Sequence, residues 1–291
     1  MALKEKINSG EFVVLGEFEP PKGSDLSPLL NSARPVRGRV DAIVVPEMAN
    51  AVMKASSLGG GAFLKINGFE PVFQICCRDR NRLALQADIL SAAGLGITDI
   101  MAVSGDEISH GDHYQARPVN DLDLIGLLEC IQGLCRGKDM AGIELTGTPD
   151  LFVGSTFNAG ATGGALDIEI DELNGKIDAG IKFIITTPVF DLHRFKQLMK
   201  RIDPERVAVI PTVMLLKSAG MARYIDRNIK HISIPAETIQ IIQKSPDKIR
   251  ECINIAGQLI LQLKEMGAAG IMVSTMGWED KLPGILDKAK I

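Results

Sequence analysis

Short runs of consecutive apolar, often β-branched residues punctuate the chain, at 12–15, 41–46, 71–77, 100–103, 151–155, 183–187, 207–211 and 271–274. None alternates apolar with polar, so these runs predict strands buried on both faces, as in a parallel sheet. Between them, apolar residues recur at helical spacing. Helices are predicted around Leu26, Leu29 and Leu30, over 49–58 with a stop at Gly59-Gly60-Gly61, and over 81–95, 122–134, 168–179, 192–199, 219–229, 236–243 and 247–266. Pro28 suits a first helical turn, which has no N–H partner to lose.

Eight strands alternating with helical segments over more than about 250 residues predict an α/β protein made of a single (β/α)8 TIM barrel spanning 1–291. The rival is an open doubly wound sheet. That fold calls for a G-x-G-x-x-G turn after the first strand, and no such turn is present. No linker, low-complexity segment or longer repeat marks a second domain.

Composition narrows the function classes. A net charge of -4 argues against a nucleic-acid surface, and 4% aromatic content argues against a base-stacking platform. The charged start, Ala2-Leu3-Lys4-Glu5-Lys6 after Met1, is unlike a signal peptide. No apolar run approaches the roughly 20 residues of a bilayer helix. A soluble, cytoplasmic protein with no membrane or nucleic-acid partner is expected. The five cysteines form no C-x-x-C pair, which argues against structural zinc and a disulfide framework. Cys76 and Cys77 alternate sides of a strand, so at most one faces a lumen.

In a barrel, the residues after each strand share one rim, where such folds carry their chemistry. Here the rim reads Glu17, Pro46-Glu47, Gln74 with Arg78, Ser104-Gly105-Asp106, Thr156 with Asn158, Thr187, Thr212 and Ser274-Thr275. Glu17 closes the first strand just before a stiff turn at Pro20-Pro21. A carboxylate there costs desolvation and adds nothing to a core, which points to function. Glu19, one step into the turn, reads as a surface acid. The four histidines fall in loops and helices, so no Ser-His-Asp or Cys-His pairing reaches the rim. Glu17, Asp106, His110 and His113 are the residues a metal would have to use, at irregular spacing. Cations in Arg78-Asp79-Arg80-Asn81-Arg82 oppose the dipole of the helix they open. They either hold a phosphate or carboxylate near the rim or form a solvated run with Asp79 as N-cap.

Several stretches resemble the methylenetetrahydrofolate reductase family. Glu17-Phe18-Glu19-Pro20-Pro21 is similar to its E-x-x-P-P start, and Gln74 through Gln86 to its third strand and helix. Leu95-Gly96-Ile97 through Val103-Ser104-Gly105-Asp106, Lys176-Ile177-Asp178-Ala179-Gly180 and Thr186-Thr187-Pro188-Val189-Phe190-Asp191 match later signatures. The resemblance covers about residues 10–280, in order. It implies a flavin at the rim and reduction of 5,10-methylenetetrahydrofolate to 5-methyltetrahydrofolate, in one-carbon metabolism and methionine biosynthesis. It implies Glu17 as the catalytic acid and Asp106 as a catalytic residue between flavin and pterin. It implies Gln74, Ser104, Gly105, Asp106, Asn120, Asp121, Thr156, Asn158 and Lys176 around the flavin, with Glu17, Asp106 and Thr187 facing folate. No metal is implied, and a homo-oligomer is.

This sequence departs from the family at several of these positions. Thr187 replaces a glutamine, Ser104 an arginine, Gln74 a histidine, Pro46 a threonine and Gly175 a cation. Fewer cations leave FMN open beside FAD. The Arg78–Arg82 variant resembles a branch found in anaerobes and in homocysteine-methyltransferase fusions. The electron donor is therefore NADH, NADPH or a partner subunit, and the alternative is a non-autonomous flavin- and folate-binding subunit of a larger complex. A further alternative of another class is a barrel lyase or aldolase using Glu17 and a metal.

Overall fold

The structure is a computed structural model and describes residues 2–291; Met1 lies outside them. Its strands are β1 (Val13–Glu17), β2 (Ala42–Val45), β3 (Pro71–Cys76), β4 (Asp99–Val103), β5 (Phe152–Phe157), β6 (Phe183–Pro188), β7 (Ala208–Met214) and β8 (Gly270–Ser274). Its helices are α1 (Leu3–Asn8), α2 (Ser27–Ala33), α3 (Ser57–Ile66), α4 (Arg82–Gly94), α5 (Leu124–Cys135) and α6 (Gly164–Asp178). They continue as α7 (Leu192–Met199), α8 (Ala219–Asn228), α9 (Ala236–Lys244), α10 (Lys248–Glu265) and α11 (Leu282–Lys288). The strands follow one another in chain order around a closed parallel barrel, with β8 pairing back onto β1. The predicted (β/α)8 architecture is the one observed.

Strand parity sorts the apolar residues into two cores. Val13, Leu15, Val44, Val72, Met101 and Met272 fill the lumen, while Val14, Ile43, Val45, Phe73 and Ile75 pack beneath the helices. Phe152 and Phe183, on the neighbouring strands β5 and β6, stack inside the lumen with ring centroids 5.2 Å apart, and Leu3 of α1 joins the same cluster. The barrel is thus plugged rather than hollow. Cys76 faces the lumen and Cys77 the helix layer, as alternation requires.

Some predicted elements differ. The helix expected over 49–58 is not formed as such: Ala49–Ala51 is one 3-10 turn, and α3 starts only at Ser57 and runs through the three glycines that were expected to stop it. Close packing explains the middle glycine. A Cβ on Gly60 would stand 3.0 Å from Pro20 Cγ and 3.1 Å from Val45 Cγ1, so α3 sits against β2 only because no side chain intervenes. Strand β7 continues past Pro211. The β6–β7 register shifts between Ile185 and Pro188, and a missing N–H is tolerated where the ladder is already broken. In α4, Leu85, Ile89 and Ala92 are buried, while Leu83 and Leu95 are 74% and 51% exposed. Helices α1 and α11 were not predicted. Among the described residues, no helix is long and apolar enough to cross a membrane.

Candidate active site at the barrel mouth

Parity carries the inward face of each strand up to the carboxyl-end mouth. Val13 and Leu15 point into the lumen, so Glu17 does as well; Val72 and Cys76 bracket Gln74, and Met272 precedes Ser274. Glu17 and Ser274 are register partners across the β1–β8 seam, and Ser274 Oγ donates to Glu17 Oε1 at 2.7 Å. Burial raises the Glu17 pKa above the ordinary carboxyl value. The Ser274 hydrogen bond and the Lys54 charge oppose that rise, and Glu279 adds to it. Glu19 is an exposed surface acid, as expected, and Lys54 pairs with it.

A cavity of about 610 Å³ opens beside the mouth, between the ends of β4, β5 and β6 and the first turns of α5. Its lining includes Ser104, Thr156, Asn158, Lys176 and Thr187, all expected from the sequence to serve a flavin or a folate. Thr156 sits at the top of β5 and Lys176 reaches it from α6, donating to the Thr156 carbonyl at 3.0 Å. Lys176 is only 7% exposed, and among the described residues that carbonyl is its one hydrogen-bond acceptor. Burial lowers its pKa, while Glu169 and Glu172 act in the opposite sense. An ammonium has three N–H donors, so two remain for a ligand. Glu169, Glu172 and Asp123 also line the cavity and were not singled out from the sequence. The signal was present: 169, 172 and 176 recur at i, i+3 and i+7, which is one helix face.

The loop after β4 is clasped to the loop after β2. Asn50 N donates to Asp106 Oδ2 at 2.7 Å, Met53 N donates to Asp112 Oδ1 at 3.0 Å, and Lys22 pairs with Asp112. Met48, Asn50 and Ala51 all have positive φ, a conformation these contacts hold in place. Gly105 turns the chain at φ +95, where a Cβ would lie 2.3 Å from Cys76 Sγ and 2.9 Å from Arg78 Cβ. Asp106 thus sits on the mouth's edge with one carboxylate oxygen committed to backbone, outside the cavity lining. Asn120 and Asp121 are outside it too, and Asp121 grips Arg82 with both oxygens, at 2.9 and 3.1 Å.

The arginine run fits neither expectation. Arg78 bonds Asp79 and the Asp106 carbonyl, Arg80 bonds Glu47 and Asp88, and Arg82 bonds Asp121. The cations are consumed by carboxylates of the protein, and the N-cap of α4 is Asn81 rather than Asp79. Behind Gln74, Glu47 is 3% exposed, and burial raises its pKa against the pull of Arg80. Among the described residues, no group of three or more His, Cys, Asp or Glu side chains is placed to hold a metal, so Glu17, Asp106, His110 and His113 do not assemble.

A plugged parallel barrel with an inward-facing, pKa-raised carboxyl at its mouth and an adjoining polar cavity is the architecture of a barrel enzyme with its site at the carboxyl ends of the strands. The family profile described as "Methylenetetrahydrofolate reductase" matches residues 2–290, and the chain belongs to that family. No curated protein matches it by sequence. Two of the solved structures that share its fold illustrate the likeness. One, described as an uncharacterized protein from Clostridium thermocellum that binds two copies of 5-methyl-5,6,7,8-tetrahydrofolic acid, aligns with a TM-score of 0.69 and 16% identity over 99% of this chain and 98% of its own. The other, 2,3-dimethylmalate lyase of the PEP mutase/isocitrate lyase superfamily, aligns with a TM-score of 0.56 and 10% identity over 99% of this chain and 81% of its own. At these identities the likeness is one of fold alone.

Proposed function

We propose that this protein reduces 5,10-methylenetetrahydrofolate to 5-methyltetrahydrofolate with a bound flavin, and that Glu17 supplies the proton. The observation that carries the reading is the Glu17 carboxyl: inward-facing at the barrel mouth, with its pKa raised by burial, in a chain of the methylenetetrahydrofolate reductase family. The methyltetrahydrofolate described as bound by the Clostridium thermocellum protein of the same fold supports a folate as the ligand.

The cavity fits a flavin with one phosphate. Its single buried cation, Lys176, keeps two donors free for a phosphate, and Ser104, Thr156 and Asn158 supply polar contacts. Asp123, Glu169 and Glu172 in the same lining would repel a second phosphate, which favours FMN over FAD. A reduced flavin bound there would supply the two electrons as hydride. The protein's own residues do the rest. Ser274 holds Glu17 Oε1, so the acidic proton resides on Oε2. That proton passes to folate N10 as the methylene bridge opens to an iminium at N5, and hydride then completes the methyl group. Thr187 and Asp106 remain the candidate pterin contacts.

The test is anaerobic reconstitution with FMN, reduction of the flavin, and addition of 5,10-methylenetetrahydrofolate while the visible absorbance is followed. Reoxidation by the folate, lost in Glu17→Gln with FMN still bound, supports the reading. A Glu17→Gln protein that reoxidises at the wild-type rate removes Glu17 as the acid. Titration with NADH and with NADPH then separates a nicotinamide donor from a partner subunit.

A further inference from the structure

The segment from 104 to 123 joins β4 to α5, and little packing holds it: between 104 and 121 every residue except Ile108 and Gly111 is exposed. Both of its feet rest on Arg78, which lies just past β3 and is itself 4% exposed. At the departing foot, Arg78 N donates to the Ser104 carbonyl at 3.2 Å, and Arg78 Nη1 donates to the Asp106 carbonyl at 3.1 Å. At the returning foot, Val119 N donates to the Arg78 carbonyl at 2.7 Å. The guanidinium cannot swing away, because Asp79 Oδ1 and Oδ2 accept from its Nε and Nη2 at 2.7 Å each. That fork fixes the guanidinium plane, and with it the direction of Nη1. Asp106 is thus held at its carbonyl by Arg78 and at Oδ2 by the Asn50 N–H. Among the described residues its Oδ1 has no hydrogen-bond partner, so that oxygen is the acceptor left for a ligand.

We infer that Arg78 is a positioning residue, which places the Asp106 carboxylate at the barrel mouth by gripping the backbone of the Ser104–Asp106 turn, with Asp79 as its anchor. The inference rests on Asp106 being a pterin contact, as in the function proposed above. A pterin presents a ring N–H beside an amino group, and Asp106 Oδ1 accepts from that edge only where the turn holds it.

A double-mutant cycle tests this, with wild type, Arg78→Met, Asp106→Ala and the double variant each titrated with 5-methyltetrahydrofolate by equilibrium dialysis. Each single variant is expected to lose about tenfold or more in affinity. The double variant is expected to bind no worse than Asp106→Ala alone, because the guanidinium acts through that carboxylate. Losses that multiply overturn the inference, since they give Arg78 an effect of its own. So does an Arg78→Met protein that binds like wild type while Asp106→Ala does not; the proposed function survives that result. If Asp106→Ala binds like wild type, Asp106 is no pterin contact and the inference falls. Wild type that binds no 5-methyltetrahydrofolate defeats the proposed function itself, and the inference with it. If Arg78→Met melts early, Arg78→Lys replaces it in the cycle under the same criteria, since an ammonium keeps the charge but cannot fork onto Asp79.

Discussion

Ser274 donates to Glu17 at 2.7 Å although the two residues stand 257 positions apart, because barrel closure makes β8 the neighbour of β1. Burial dominates the acidity of the mouth carboxyl, and that bond is the largest influence acting against it. The hydroxyl steadies the ionised form, against a burial that favours the neutral one. Ser274→Ala is expected to raise the Glu17 pKa further. The alkaline limb of the folate half-reaction should then move to higher pH, with the acid plateau unchanged, as read from single-turnover rates across pH. A limb that stays in place or moves to lower pH would show that another group governs it.

On the proposed function, Lys176 is expected to contribute to flavin binding at some cost to folding. Removing a buried ammonium deletes a desolvated charge that one carbonyl only partly compensates. Lys176→Met is expected to weaken FMN binding by about 1.5–3 kcal/mol while leaving Tm unchanged or higher. Flavin fluorescence titration and a thermal melt give the two readings.

Gly105 is required by its surroundings. Alanine there meets Cys76 Sγ at 2.3 Å on a backbone at φ +95. Gly105→Ala should lose on the order of 3 kcal/mol in urea unfolding, and Asp106 should shift with it.

Asp99 opens β4 on the lumen side and is 4% exposed. Burial, reinforced by Glu70, pushes its carboxyl up to about 7, against the pull of Lys65 and Lys4. The folded state therefore holds a proton that the unfolded state releases. Stability from this group is greatest at acid pH and declines as pH rises from about 4 to about 7, with a slope of up to ~1.4 kcal/mol per pH unit. Asp99→Asn should flatten that decline and stabilise the protein at pH 8 relative to wild type, as measured by chemical denaturation at several pH values. An unchanged slope in the variant would assign the dependence elsewhere.

Much of this architecture was legible in the sequence. Continuous apolar runs identified all eight strands, and Pro20-Pro21 marked Glu17 as the last residue of its own. The lumen side of Cys76 followed from period-two geometry. What stayed hidden depended on contacts between distant segments. Gly59–Gly61 read as a break because glycine disfavours helix locally, whereas Pro20 and Val45 press close enough to require it at Gly60. Arg78, Arg80 and Arg82 read as a ligand cradle or a solvated run, because Glu47, Asp88 and Asp121 come from elsewhere in the fold. Asp106 and Asp121 are likewise tied to protein partners that no local pattern announces. The acids around Lys176 were readable as a helical face, but nothing in one dimension showed that this face borders a cavity.

The stacked rings of Phe152 and Phe183 fill the lumen at the amino ends of β5 and β6, which leaves the carboxyl-end mouth a blind alley. Whatever enters must depart through the doorway it came by, so an electron donor and a folate competing for the space above Glu17 would have to take turns. An enzyme built this way is expected to show parallel double-reciprocal plots, each substrate leaving as product before the next is admitted.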